Sequence, residues 1–112
     1  MKRKHKLLTK ALEEKLPVLG ATDGADHDKI KVPVKFFSPY SNWTWYALEY
    51  SPGDQTFFGL VHGFEKEFGY FSLAELESTK LSIAGARVPA VERDLYWNSD
   101  TTLDDVEKGR AR

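Results

Sequence analysis

The chain has 112 residues, no cysteine, a formal net charge of −1 and an aromatic content of 13%. A length of this order forms one domain around a modest core, which aromatic side chains can fill because each buries roughly 150–250 Å². The absence of cysteine excludes a disulfide framework and any zinc site built on thiolates. No apolar run approaches the ~20 residues of a membrane-spanning helix, so no membrane role is expected.

Charge is unevenly spread. Residues 1–35 carry nine Lys/Arg against five Asp/Glu, whereas residues 36–109 carry five against twelve. A phosphate backbone is attracted by the first segment and repelled by the second. Met1-Lys2-Arg3-Lys4-His5-Lys6 is basic like the start of a secretion signal, but only Leu7 and Leu8 follow before Thr9 and Lys10, and no apolar h-region forms. The expectation is a cytoplasmic protein with a flexible basic arm over 1–6, a single domain over 7–99 and a C-terminal tail over 100–112.

Leu8, Ala11, Leu12 and Leu16 recur at helical spacing, with Thr9 placed to cap and Pro17 to stop the helix. Gly20 to Asp28 is a loop by its Gly and Asp content. Its three aspartates and His27 do not make a calcium loop: counting from Asp23, Asp28 falls where the turn glycine belongs and Val34 where the bidentate Glu belongs. No metal site and no cofactor is expected.

Ile30 to Phe37 alternates, with Ile30, Val32, Val34 and Phe36 on one side, and Pro33 argues for an edge strand. Asn42 to Tyr50 alternates too, placing Trp43, Trp45, Ala47 and Glu49 on one face and Thr44, Tyr46, Leu48 and Tyr50 on the other. Pro52-Gly53 fits the centre of a type II turn. Pairing Ser51 with Asp54 then sets Trp45 opposite Leu60 and Tyr46 over the gap at Gly59, unless a bulge shifts the register by one. Phe64 to Gly69 reads as a second turn with Gly69 left-handed, and Tyr70-Phe71 as a short strand. Ser72-Leu73-Ala74-Glu75 is a capping box opening a helix that turns Leu73, Leu76 and Leu81 inward. Val91 to Trp97 reads as a strand with Val91, Arg93, Leu95 and Trp97 on one side. Thr102 caps a last short helix, Leu103 to Lys108, ended by Gly109. The predicted fold class is α+β: a four- to five-stranded, mostly antiparallel sheet with two or three short helices on one face.

The strings L-L-T-K from Leu7, L-P-V-L-G from Leu16, K-F-F-S-P from Lys35, S-N-W-T-W-Y from Ser41, F-F-G-L-V-H-G-F-E from Phe57, G-Y-F-S-L-A-E-L from Gly69 and E-R-D-L-Y from Glu92 occur in this order. Together they resemble a bacterial family of small proteins known only as a domain of unknown function, whose members look like cargo of plasmids, integrative elements and phages. The resemblance runs from Leu7 to Trp97. It implies a cytoplasmic accessory protein of mobile elements and assigns no catalytic residue.

His62, between two glycines on a strand, is the residue type of a general base near neutral pH. No nucleophile or oxyanion hole accompanies it in the sequence, so an enzyme centred on His62 ranks below a binding protein. The expected contact surface for a protein partner comprises Trp43, Trp45, Glu49, His62 and Arg93, where aromatic rings stand beside charges. Nucleic acid is the alternative partner, held by Lys2, Arg3, Lys4 and Lys6 with the sheet aromatics stacking bases.

Overall fold

The computed structural model describes residues 3–111. Its elements are α1 (Lys10–Lys15), β1 (Val34–Phe37), β2 (Thr44–Ser51), β3 (Thr56–His62), β4 (Lys66–Ser72), α2 (Leu73–Ser78), β5 (Lys80–Ile83), β6 (Ala86–Pro89), β7 (Glu92–Arg93) and α3 (Leu103–Glu107), with a 3-10 turn at His27–Lys29. Five strands form one antiparallel sheet in the order β4-β3-β2-β1-β7, and β5 and β6 form a separate hairpin. The class is α+β, as the alternation of the strands predicts.

Each helix starts on a hydroxyl cap. The Thr9 side chain accepts from the Leu12 amide, Ser72 from that of Glu75, and Thr102 from that of Asp105, whose carboxylate in turn accepts from the Thr102 amide. These contacts satisfy N–H groups that the first helical turn leaves without partners. Helices of five or six residues are not stable alone; apolar side chains fix them to the sheet. Leu8, Leu12 and Leu16 of the α1 region and Leu73 and Leu76 of α2 pack with Phe36, Ala47, Tyr50 and Phe57 on one face. Leu103 and Val106 of α3 pack with Ile30, Val32, Leu48 and Leu60 on the other. Two helices thus share a face as expected, and the third closes the opposite side, which makes the segment after residue 99 part of the folded body.

Several local expectations are corrected. Val32 and Ile30 belong to the second core but Val34 and Phe36 to the first. The segment therefore crosses from one core to the other at Pro33, just before the ladder begins, and β1 is an interior strand rather than an edge. The β2–β3 connection is wider than a type II turn: Ser51 pairs with Thr56, and the left-handed residue is Gln55 (φ 51°), not Gly53. The Gln55 carbonyl then accepts from the Leu73 amide at 2.9 Å, tying this turn to the start of α2. Gly69 lies inside β4 opposite Gly59, and the turn before it is confined to residues 63–65.

Helix α2 ends at Ser78, so Leu81 is not on it. It sits in β5, whose hairpin with β6 turns at Ala84 (φ 50°) and Gly85 (φ 85°), the double left-handed pair of a type I′ turn. The strand expected over Val91 to Trp97 shrinks to Glu92–Arg93. Beyond it the chain turns so that the Trp97 indole reaches the second core and donates Nε1–H to the Val32 carbonyl at 2.7 Å.

The largest departure is in β2. Trp45 pairs with Val61, Tyr46 with Leu60 and Ala47 with Gly59, after which the register shifts and Glu49 pairs with Phe58. Leu48 is the extra residue of a β-bulge. Leu48 and Glu49 consequently face the same side as Phe58, and alternation resumes with Tyr50 in the first core.

Candidate functional site

The bulge separates residues that simple alternation puts together. Trp45 packs on the first core, while Glu49 turns to the opposite face and is 3% exposed. Its carboxylate accepts the amides of Gly20 (2.7 Å) and Thr22 (2.8 Å) and the Thr22 hydroxyl. Burial alone would push this carboxyl up, but the hydrogen bonds from Thr22 and Gly20 outweigh it and hold the group below the usual carboxylate range. Glu49 anchors the 20–25 loop and has no surface to offer a partner.

Arg93 is also elsewhere. Phe36 is its neighbour on β1, and Trp45 is the neighbour of Phe36 on β2. Arg93 thus stands two strand spacings from Trp45, about 10 Å. Its guanidinium donates Nε–H to the Lys6 carbonyl at 3.0 Å. The arm reciprocates: Arg3 Nε donates to the Val91 carbonyl at 3.0 Å and lies 3.8 Å from the Glu92 carboxylate. Arg3 is therefore turned toward the sheet edge, whereas Lys4 and Lys6 are exposed; Lys2 lies outside the described residues.

His62 faces the second-core side, edge-on to Tyr46 with ring centroids 5.0 Å apart. Its Nε2 is buried without a hydrogen-bond partner. Burial, with the nearby Lys66 ammonium, pushes the imidazole below its usual range and keeps it neutral. Tyr46 beside it also meets the Trp97 ring at a tilt, centroids 5.8 Å apart, and Lys35 lies 5.2 Å from the Trp97 ring and 3.6 Å from the Asp94 carboxylate. This cluster packs aromatic faces around a cation already paired with an anion. Among the described residues no side chain of the cluster hydrogen-bonds to the buried Nε2 of His62.

An aromatic surface does form around Trp43, with members that alternation does not identify. The Trp43 ring lies against Gly63, whose missing side chain makes room for it: a Cβ there would stand 2.5 Å from the indole. From that seat the ring contacts Trp45 (centroids 5.9 Å) and meets Phe64 edge-on (5.5 Å, 83°). Phe64, at the tip of the β3–β4 hairpin, is 95% exposed. Trp43, Val61, Gly63, Phe64, Glu65 and Glu67 line a hollow of ≈ 260 Å³, with both carboxylate residues exposed at its rim. A ring at a hairpin tip flanked by Gly and Glu has no core to enter, and that is the signal in G-F-E-K by which Phe64, absent from the residues expected from alternation, is recognisable.

Ring faces carry negative quadrupole potential, and two carboxylates beside them add to it. The hollow suits a cationic side chain with an apolar stem, an arginine or a lysine. Phosphate is repelled by the same rim. No group of His, Asp or Glu side chains able to hold a metal is found among the described residues, and no described helix is long and apolar enough to cross a membrane.

Fold and hollow together define a small α+β domain with a solvent-facing aromatic and acidic ledge. Residues 7–109 match the family described as "Protein of unknown function (DUF2958)", and the chain belongs to that family. The match extends past Trp97 through α3, consistent with the place of Leu103 and Val106 in the second core. No curated protein and no solved structure shows significant similarity.

Proposed function

We propose that this protein acts by binding another protein, and that its contact site is the ledge of Trp43, Trp45 and Phe64 rimmed by Glu65 and Glu67. The observation carrying this reading is Phe64, an almost wholly exposed phenyl ring propped against Trp43 instead of being buried. Exposed aromatic rings beside unspent charge are the composition of interface anchors, and a basic segment of the partner complements the rim. Within the five residues expected from the sequence, Trp43 and Trp45 remain in this site. Glu49 and Arg93 serve the loop and the arm, and His62 serves the opposite face. The sealed Nε2 of His62 favours binding over catalysis. The resemblance noted from the sequence supplies a setting, an accessory protein of bacterial mobile elements acting in counter-defence or element maintenance in the cytoplasm.

The test is a comparative pull-down from bacterial lysate with the parent chain, Phe64→Ser, the double variant Glu65→Lys/Glu67→Lys, and Val18→Ser as a control at an exposed position elsewhere. A protein retained by the parent and the control and lost from both ledge variants is the expected result. Retention of the same proteins by all four chains would sink the reading.

A further inference from the structure

The two ends of the main sheet differ. At one end β7 supplies only two residues, and the arm lies beside it: Arg93 of β7 donates to the Lys6 carbonyl and Arg3 donates to the carbonyl of Val91, just before β7. At the other, β4 runs for seven residues, pairs with β3 through seven consecutive partners without a bulge, and among the described residues has no strand partner besides β3. It contains no proline, and its one lysine is at its first position. Long straight edges of this kind are normally blunted by charges, prolines or bulges, because a row of unpaired N–H and C=O groups templates another strand.

We infer that β4 is a docking edge, and that the basic partner segment proposed above binds there as an added antiparallel or parallel strand. This rests on the ledge reading and specifies how the partner lies. The ledge is contiguous with the edge, since Phe64 and Glu65 form the turn that leads into β4 and Glu67 is its second residue. The guest strand places alternate side chains on opposite faces. One set lies beside Phe68 and Tyr70, which are 45% and 69% exposed and pack against Phe58. The other set lies on the side of Glu67, toward the hollow.

Charge selects the occupant. Over residues 64–79, which span the hairpin tip, β4 and α2, Glu65, Glu67, Glu75 and Glu77 face a single cation, Lys66. A second copy pairing β4 with β4 would bring two such acidic segments together, whereas a strand alternating lysine or arginine with apolar residues neutralises one. This is strand addition, with affinity from the backbone and selectivity from alternate side chains.

The experiment uses the full chain and designed probes: a seven-residue peptide alternating lysine and valine, the same peptide with alternate amides N-methylated in each of the two frames, and a glutamate–valine counterpart. Tryptophan emission reports binding and amide hydrogen exchange reports β4. Expected are binding of the lysine–valine peptide with protection of alternate β4 amides, at least about tenfold weaker binding in one methylated frame, and no binding of the glutamate peptide. Equal binding of both methylated frames with unchanged β4 exchange overturns strand addition while leaving the ledge reading standing. Failure of the lysine–valine peptide to bind overturns strand addition; the ledge reading then rests on its own pull-down. β4 protection that rises with protein concentration and no peptide assigns the edge to a second copy and overturns the choice of occupant.

Discussion

The Trp43 indole rests on the α-carbon of Gly63, and the space of one absent methyl group decides where the ring points. Gly63→Ala cannot leave the ring in place, since 2.5 Å is well inside contact distance. Because the obstacle is a side chain, the indole swings out. The cost is about 1–3 kcal/mol, typical of overpacking, with a red shift in tryptophan emission and loss of the Phe64 contact, measured by urea titration and fluorescence.

Two other glycines on these strands give opposite outcomes. A Cβ at Gly59 would overlap the backbone carbonyl of Tyr46, which cannot rotate away without breaking the β2–β3 ladder at the bulge. Gly59→Ala is expected to lose roughly 3 kcal/mol or more, at the upper end of single-substitution effects. At Gly69, its cross-strand neighbour, a Cβ meets nothing within 4 Å. Gly69→Ala is expected to lie within about 0.5 kcal/mol of the parent, as surface substitutions do. Thermal melts of the pair separate close approach from mere presence in a strand.

Glu49 holds three donors of the 20–22 segment. Glu49→Ala leaves them without their acceptor, at a cost of about 2–4 kcal/mol, since bonds to a charged group are worth more than neutral ones and buried donors left unmade are penalised. Amide exchange at Gly20 and Thr22 accelerates while that of β3 is little changed.

Much of the local structure was legible in the chain, and its limits are physical. Caps at Thr9, Ser72 and Thr102 depend on a side chain and an amide a few residues apart, so short-range chemistry specifies them. The bulge at Leu48 depends on where the 20–22 amides lie when Glu49 reaches them, a contact separated by 27 to 29 residues. Alternation therefore put Glu49 beside Trp45 and was inverted by one inserted residue. The β5–β6 hairpin is masked in the sequence because Leu81 continues the spacing of Leu73 and Leu76 closely enough to imitate a helix, although Ala84-Gly85 carries the turn signal. Phe64 is hidden from alternation because it sits in a turn, where no strand face assigns an apolar ring to core or solvent.

Acid should weaken the fold in two stages. His62 is held below its unfolded range by burial and by Lys66, so its contribution is fully present above about pH 6.5 and is lost as pH falls below that toward its folded value. Glu49 is likewise depressed, and its contribution is retained above about pH 4.3 and lost as pH falls further. His62→Phe, which keeps an aromatic ring against Tyr46, should flatten the decline in urea midpoint between pH 7.5 and 5.5 and leave the steeper loss at lower pH.

The unequal borders of the sheet also bear on edge-to-edge growth between copies of the chain. A filament of stacked copies requires each molecule to offer a donor rim and a matching acceptor rim, so that every arrival recreates the surface it consumed. The β7 border, reduced to two rungs beside the arm, does not match the seven-residue β4 border, so head-to-tail stacking of copies is disfavoured. A chain stripped of Arg3 through Lys6 keeps the two-rung border, so its turbidity during concentration is expected to match that of the parent.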